Sequence, residues 1–175
     1  MANPTMTLIS SQTLGGTTAS VTFSSIPSTY NDLKLVVSAR GDTVAYPVTI
    51  NLKLNGDTGG NYSYTYLVGN SSATASSRIS SNSVDNAPQM SGASSTASTF
   101  GAFEIYIPNY NSTGNKPFFG IYVNETNDTT ASHAEILPVA HLYRGGSGIS
   151  SITLTPASGN FVQYSDFYLY GIKNS

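Results

Sequence analysis

Residues Val48-Thr49-Ile50-Asn51-Leu52-Lys53-Leu54-Asn55 alternate strictly between apolar and polar side chains. A period of two places the four apolar groups on one face of an extended chain and the four polar groups on the other, the mark of a strand with one buried face. Similar runs recur at 7–10, 19–24, 33–40, 62–68, 99–107, 118–125, 132–142, 149–155 and 166–172. They are separated by turn-forming groups such as Gly15-Gly16, Asn55-Gly56-Asp57, Gly145-Gly146 and Ser158-Gly159-Asn160. No stretch carries an apolar period of 3.6 over several turns, so almost no helix is expected. The pattern predicts an all-β fold, a single antiparallel β-sandwich domain over residues 1–175, of jelly-roll type.

Parity along these runs assigns an inner layer of Val21, Phe23, Leu33, Leu35, Val37, Val48, Ile50, Leu52, Leu54, Phe103, Ile105, Ile107, Phe119, Ile121, Val123, Ile152, Leu154, Phe167 and Leu169. One stretch breaks the rhythm. Residues 70–98 are mostly Ser, Ala, Thr and Asn, with Ile79, Val84 and Met90 as the large apolar side chains. This excursion is too long for an ordinary connection. It reads as a loop, as a weak edge hairpin, or as a segment that orders against a neighbouring subunit.

Charge is scarce. Asp, Glu, Lys and Arg make up 9% of the chain, whereas Ser and Thr number 47 of 175 residues. Outward faces must then be rich in hydroxyls and amides. A net charge of −2 and seven scattered Lys and Arg leave no basic stripe for a phosphate backbone, so no nucleic-acid partner is expected. Cysteine is absent, which excludes disulfides, thiolate metal sites and Cys nucleophiles. The opening residues lack a basic and an apolar segment of signal-peptide type, and no apolar run approaches the roughly 20 residues needed to span a bilayer. A soluble product made in a cytoplasm, with no membrane partner, is the expectation.

The chemistry-bearing side chains form no convincing centre. His133, Glu135 and His141 share parity on one strand, but residues eight apart on an extended chain lie roughly 26 Å from each other, too far for one metal. They are expected to be ordinary, partly exposed polar groups. No Gly-x-Ser-x-Gly elbow is present. Glu104, mid-strand and outward, has no partner that the sequence reveals. The segment Asn55-Gly56-Asp57-Thr58-Gly59-Gly60-Asn61 lacks the ligand series of a calcium loop and reads as a tight hairpin turn. No enzyme activity, cofactor or metal is expected. Tyrosine stands out instead. Tyr62, Tyr64 and Tyr66 fall on one face of a strand, and Tyr164, Tyr168 and Tyr170 form a second stripe. Such side chains serve as the rim of a core, as anchors for a partner, or as a platform for sugars.

Several segments resemble those of small virion proteins of tailed bacteriophages, notably marine and cyanobacterial ones. They are Ser25-Ile26-Pro27-Ser28-Thr29-Tyr30-Asn31-Asp32-Leu33-Lys34-Leu35-Val36-Val37, Leu54 to Ser63, Ile107-Pro108-Asn109-Tyr110 with Lys116, and Phe167-Tyr168-Leu169-Tyr170-Gly171-Ile172. The resemblance spans most of the chain and leaves only the 70–98 excursion unshared. None of its motifs is catalytic. It implies a structural or adhesive module of the virion, as capsid decoration or as part of a fibre or tail.

Two functions follow as expectations. The first is a non-enzymatic building block of the virion, bound to copies of itself and to capsid or tail proteins. The second is a module that binds a host surface glycan. Low charge and poorly protected sheet edges favour self-association, and virion modules of this kind commonly sit on three-fold axes, so a homotrimer is expected. Its contacts are placed at Tyr62, Tyr64, Tyr66, Arg78 and Ile79.

Overall fold

The computed structural model describes residues 5–70, 73–127 and 134–173. Within them the chain forms twelve strands and no helix. These are β1 (Met6–Thr13), β2 (Val21–Phe23), β3 (Asp32–Ala39), β4 (Val48–Leu54), β5 (Tyr62–Asn70), β6 (Thr74–Asn82), β7 (Gln89–Met90), β8 (Gly101–Ile107), β9 (Lys116–Asn124), β10 (Glu135–Tyr143), β11 (Ile152–Pro156) and β12 (Asp166–Ile172). They build an eight-stranded sheet in the order β1-β12-β3-β8-β9-β10-β5-β6 and a four-stranded sheet in the order β2-β11-β4-β7. Every strand ladder is antiparallel. The fold is the expected antiparallel β-sandwich, its strands divided eight and four between the two sheets.

The core lies between the sheets. Leu33, Leu35, Ile50, Leu52, Leu54, Ile105, Ile152, Leu154, Phe167 and Leu169 are almost wholly buried there. Each such side chain contributes about 1.5–3 kcal/mol through removal of apolar surface from water. The smaller sheet does not cover the larger one to its edges. β1 and β6 are exposed at nearly every position, on both faces.

Parity fails on one strand. Phe119, Ile121 and Val123 point outward, while Phe118, Gly120 and Tyr122 point into the core. Both phases of β9 carry large apolar groups, so alternation alone does not choose between them, and a slip of one residue exchanges the two faces completely. The adopted phase brings Lys116 and Tyr122 to polar partners. Lys116 Nζ donates to the carbonyls of Gly114 and Gly145, and Tyr122 Oη lies 3.0 Å from His141 Nε2. Glycine at 120 is part of this choice, because a Cβ there would lie 2.7 Å from Tyr122 Oη and 3.0 Å from the Glu104 carbonyl.

Two local expectations also change. Asn55 and Gly56 take positive φ, and Asp57 N–H donates to the Leu54 carbonyl, so the turn forms. It does not make a hairpin, however, because β4 enters the smaller sheet and β5 the larger. The 70–98 excursion is partly an edge hairpin, since β6 pairs with β5, and partly core. Beyond β6 it crosses to the smaller sheet, where β7 pairs with β4 and Asp85, Ala87, Met90 and Ser91 are buried. Arg40 holds its last turn, donating to the carbonyls of Thr96 and Thr99 at 2.9 and 2.8 Å and of Ser95 at 3.0 Å.

Candidate functional site

The tyrosine stripe of β5 belongs to this chain's own interior. Tyr62 is 0% and Tyr64 6% exposed, and Tyr66 is half-buried. Tyr62 stacks on Tyr143 with ring centroids 5.1 Å apart, and its hydroxyl accepts from Leu54 N–H at 2.9 Å. Tyr64 Oη donates to Asn86 Oδ1 at 2.5 Å. Tyr62 and Tyr64 therefore have no surface to offer a partner. The reason is topological: β5 is an inner strand with β6 added outside it, so its alternate face joins the core. Arg78 and Ile79, on the edge strand itself, are exposed.

His141 is not a partly exposed group either. It is buried in a polar chain that spans the sandwich. Its Nδ1 lies 2.5 Å from Asp85 Oδ2 and its Nε2 3.0 Å from Tyr122 Oη, while its ring stacks on Phe118 at 4.5 Å between centroids. Burial raises the Tyr122 phenol far above its ordinary pKa, so it stays protonated. With both ring nitrogens occupied, His141 is a structural tie. Asp85 was not foreseen in this role, because no local pattern distinguishes it from the chain's other acids.

His133 lies outside the described residues. Glu135 begins β10 on the inner face with His141, but six residues of extended chain put them roughly 20 Å apart. Its Oε1 has no hydrogen-bond partner, and burial pushes its carboxyl up to about 7. No group of three or more His, Cys, Asp or Glu among the described residues is placed to hold a metal. Glu104, outward on β8, pairs with Lys34 at 2.7 Å in an exposed ion pair of small energetic weight.

The surface that stands out is the outer face of the larger sheet. Phe119, Ile121 and Val123 form a ridge along β9 and are 53, 42 and 39% exposed. Ile136 of β10 and Leu67 of β5 extend it, at 51 and 59%. Register aligns these positions in rows across the strands. One row runs Val36, Glu104, Ile121, Pro138, and the next Lys34, Tyr106, Phe119, Ala140, Thr65. Small residues on either side of the ridge leave two shallow hollows, one over Ala102 and one over Pro138 and Ala140. Pro138 interrupts the ladder toward β5 where it has no N–H to donate. Five exposed large side chains in one contiguous face exceed the scattered apolar groups of an ordinary surface. Compared with known proteins, the chain matches no family model, no curated protein and no solved structure.

Proposed function

We propose that this chain is a non-enzymatic structural component of a phage virion, a capsid decoration protein or a fibre or tail knob, acting through contacts with other proteins. The observation that carries the reading is the apolar outer face of the eight-stranded sheet. A sandwich needs only one face of each sheet for its core, and an apolar second face is costly to leave in water. A partner that covers it recovers that free energy. The segments that resemble virion proteins supply the setting, and the low charge density is compatible with dense packing of copies. Tyr62 and Tyr64 are buried and cannot carry the association expected from the resemblance, so the outer face is the surface this proposal gives to contacts between copies.

Quantitative mass spectrometry of purified particles from a phage that encodes the chain tests the reading. Hundreds of copies per particle assign it to decoration, and a few dozen or fewer assign it to the tail or a fibre. Absence from particles sinks the proposal.

One observation favours the glycan-binding alternative. Tyr168 and Tyr170 stand side by side on the outer face of β12, their rings 6.5 Å apart and 23° from parallel. Paired, nearly parallel rings offer aromatic surface to the apolar faces of a sugar. Binding to a glycan array that Tyr168→Ala abolishes supports this second reading.

A further inference from the structure

We infer that the outer face of the eight-stranded sheet is a contact between two copies of this chain, related by a two-fold axis running along the strands between β9 and β10. This rests on the reading of the chain as an assembly subunit and specifies where copies meet.

Register carries the inference. Phe119 on β9 faces Ala140 on β10, and Ile121 faces Pro138, so two large side chains each stand beside a small one at the same height. A two-fold axis along the strands, midway between them, lays β9 of each copy over β10 of the other. Each Phe119 then enters the hollow over the other copy's Ala140, and each Ile121 the hollow over Pro138. The ridge and its hollow lie one strand apart, about 4.8 Å, and stacked sheets approach to about 10 Å, so the two faces interdigitate in these two rows. In the third row Val123 meets the other copy's Ile136, two large apolar side chains in contact at the end of an isologous interface that closes on itself.

Area agrees, and so does charge at the centre of the face. The five exposed apolar side chains leave on the order of 450 Å² of apolar surface, the larger part of the roughly 800 Å² that each partner contributes to an ordinary stable interface. Across β3, β8, β9 and β10 the charges on this face are Lys34 and Glu104, already joined at 2.7 Å, and Asp32, which is buried and accepts from Tyr106 Oη. No like charges are forced together at the centre. The same axis lays β8 of one copy over β5 of the other and β3 over β6, which sets the partner copy's Arg78 opposite Lys34 at the rim, the one like-charge meeting in the contact. Arg78 sits beside Thr65 on this face.

Light scattering of the purified chain decides the matter. At about 10 µM, where an interface of ordinary size is occupied, the expected mass is twice the 18.4 kDa of one chain. Ile121→Glu, which buries a charge in the contact but touches no core residue, is expected to give 18.4 kDa with an unchanged circular dichroism spectrum. Ala140→Trp, which fills the hollow, serves as the second variant and should weaken association at least tenfold. Arg78→Glu, which turns the like-charge meeting with the partner copy's Lys34 into an opposite one, should strengthen it. A wild-type monomer at about 100 µM, or a dimer that survives both Ile121→Glu and Ala140→Trp, overturns the inference. A trimer overturns the two-fold axis while leaving the virion reading intact. A dimer of a protein absent from particles does the reverse.

Discussion

Asp85 and His141 meet across the sandwich with Oδ2 2.5 Å from Nδ1, although 56 residues separate them in sequence. Asp85 is fixed to the smaller sheet by reciprocal backbone bonds with Leu52, at 2.7 and 3.1 Å. His141 belongs to the middle of the larger sheet. A polar tie thus passes through a core of aliphatic and aromatic side chains, and each of its groups has its partner supplied. Buried polar groups are costly when left unpaired, so this chain favours one relative placement of the two sheets over others.

Asp85→Ala should therefore lower stability by about 2–4 kcal/mol, because it strands a buried imidazole nitrogen. Urea denaturation reads this as a lower midpoint at unchanged slope. Tyr122→Phe, which removes only the far end of the chain, should cost about 1–2 kcal/mol.

Adjacent phenylalanines on β9 should behave as opposites. Phe118→Ala opens the core beneath His141 and should cost about 3–5 kcal/mol. Phe119→Ala, on the outer face, should change the stability of the isolated chain by less than about 0.5 kcal/mol while weakening association. Equal losses for the two would mean that the phase of β9 is other than described.

The buried carboxyl of Glu135 sets a pH dependence. Its folded-state pKa is raised to about 7 by burial, whereas an unfolded chain releases that proton near 4.5. The folded state binds the proton more tightly, so its contribution to stability is full below the unfolded pKa and is lost as pH rises through about 7. Thermal denaturation should show greater stability near pH 5 than near pH 8, and Glu135→Gln should flatten that difference. A slope unchanged in the Gln variant would remove Glu135 as its source.

Arg40 should govern the end of the 70–98 excursion. Arg40→Met removes the donors to Ser95, Thr96 and Thr99 while keeping much of the aliphatic stem. Amide exchange across 92–99 should accelerate, with protection on β8 retained, and stability should fall by about 1–3 kcal/mol.

The turn at Asn55-Gly56 and most strand positions were legible because they depend on neighbours in sequence. β3, β4, β8, β11 and β12 bury the alternation that their sequences display. β6 was legible only as one alternative, a weak edge hairpin, and β7 not at all. Their Ser-rich or very short sequences carry no period, and they are strands because β5 and β4 present edges for them to join.

Alternation with little charge determined by itself that this chain would be an antiparallel sandwich with strands punctuated by turns. Only the tertiary structure decided which of two apolar phases β9 would turn inward, that Tyr62 and Tyr64 would be core, and that Asp85 would find His141. Those outcomes depend on which strands become neighbours. A period of two states that a strand has two faces, but the rest of the fold selects the one that is covered.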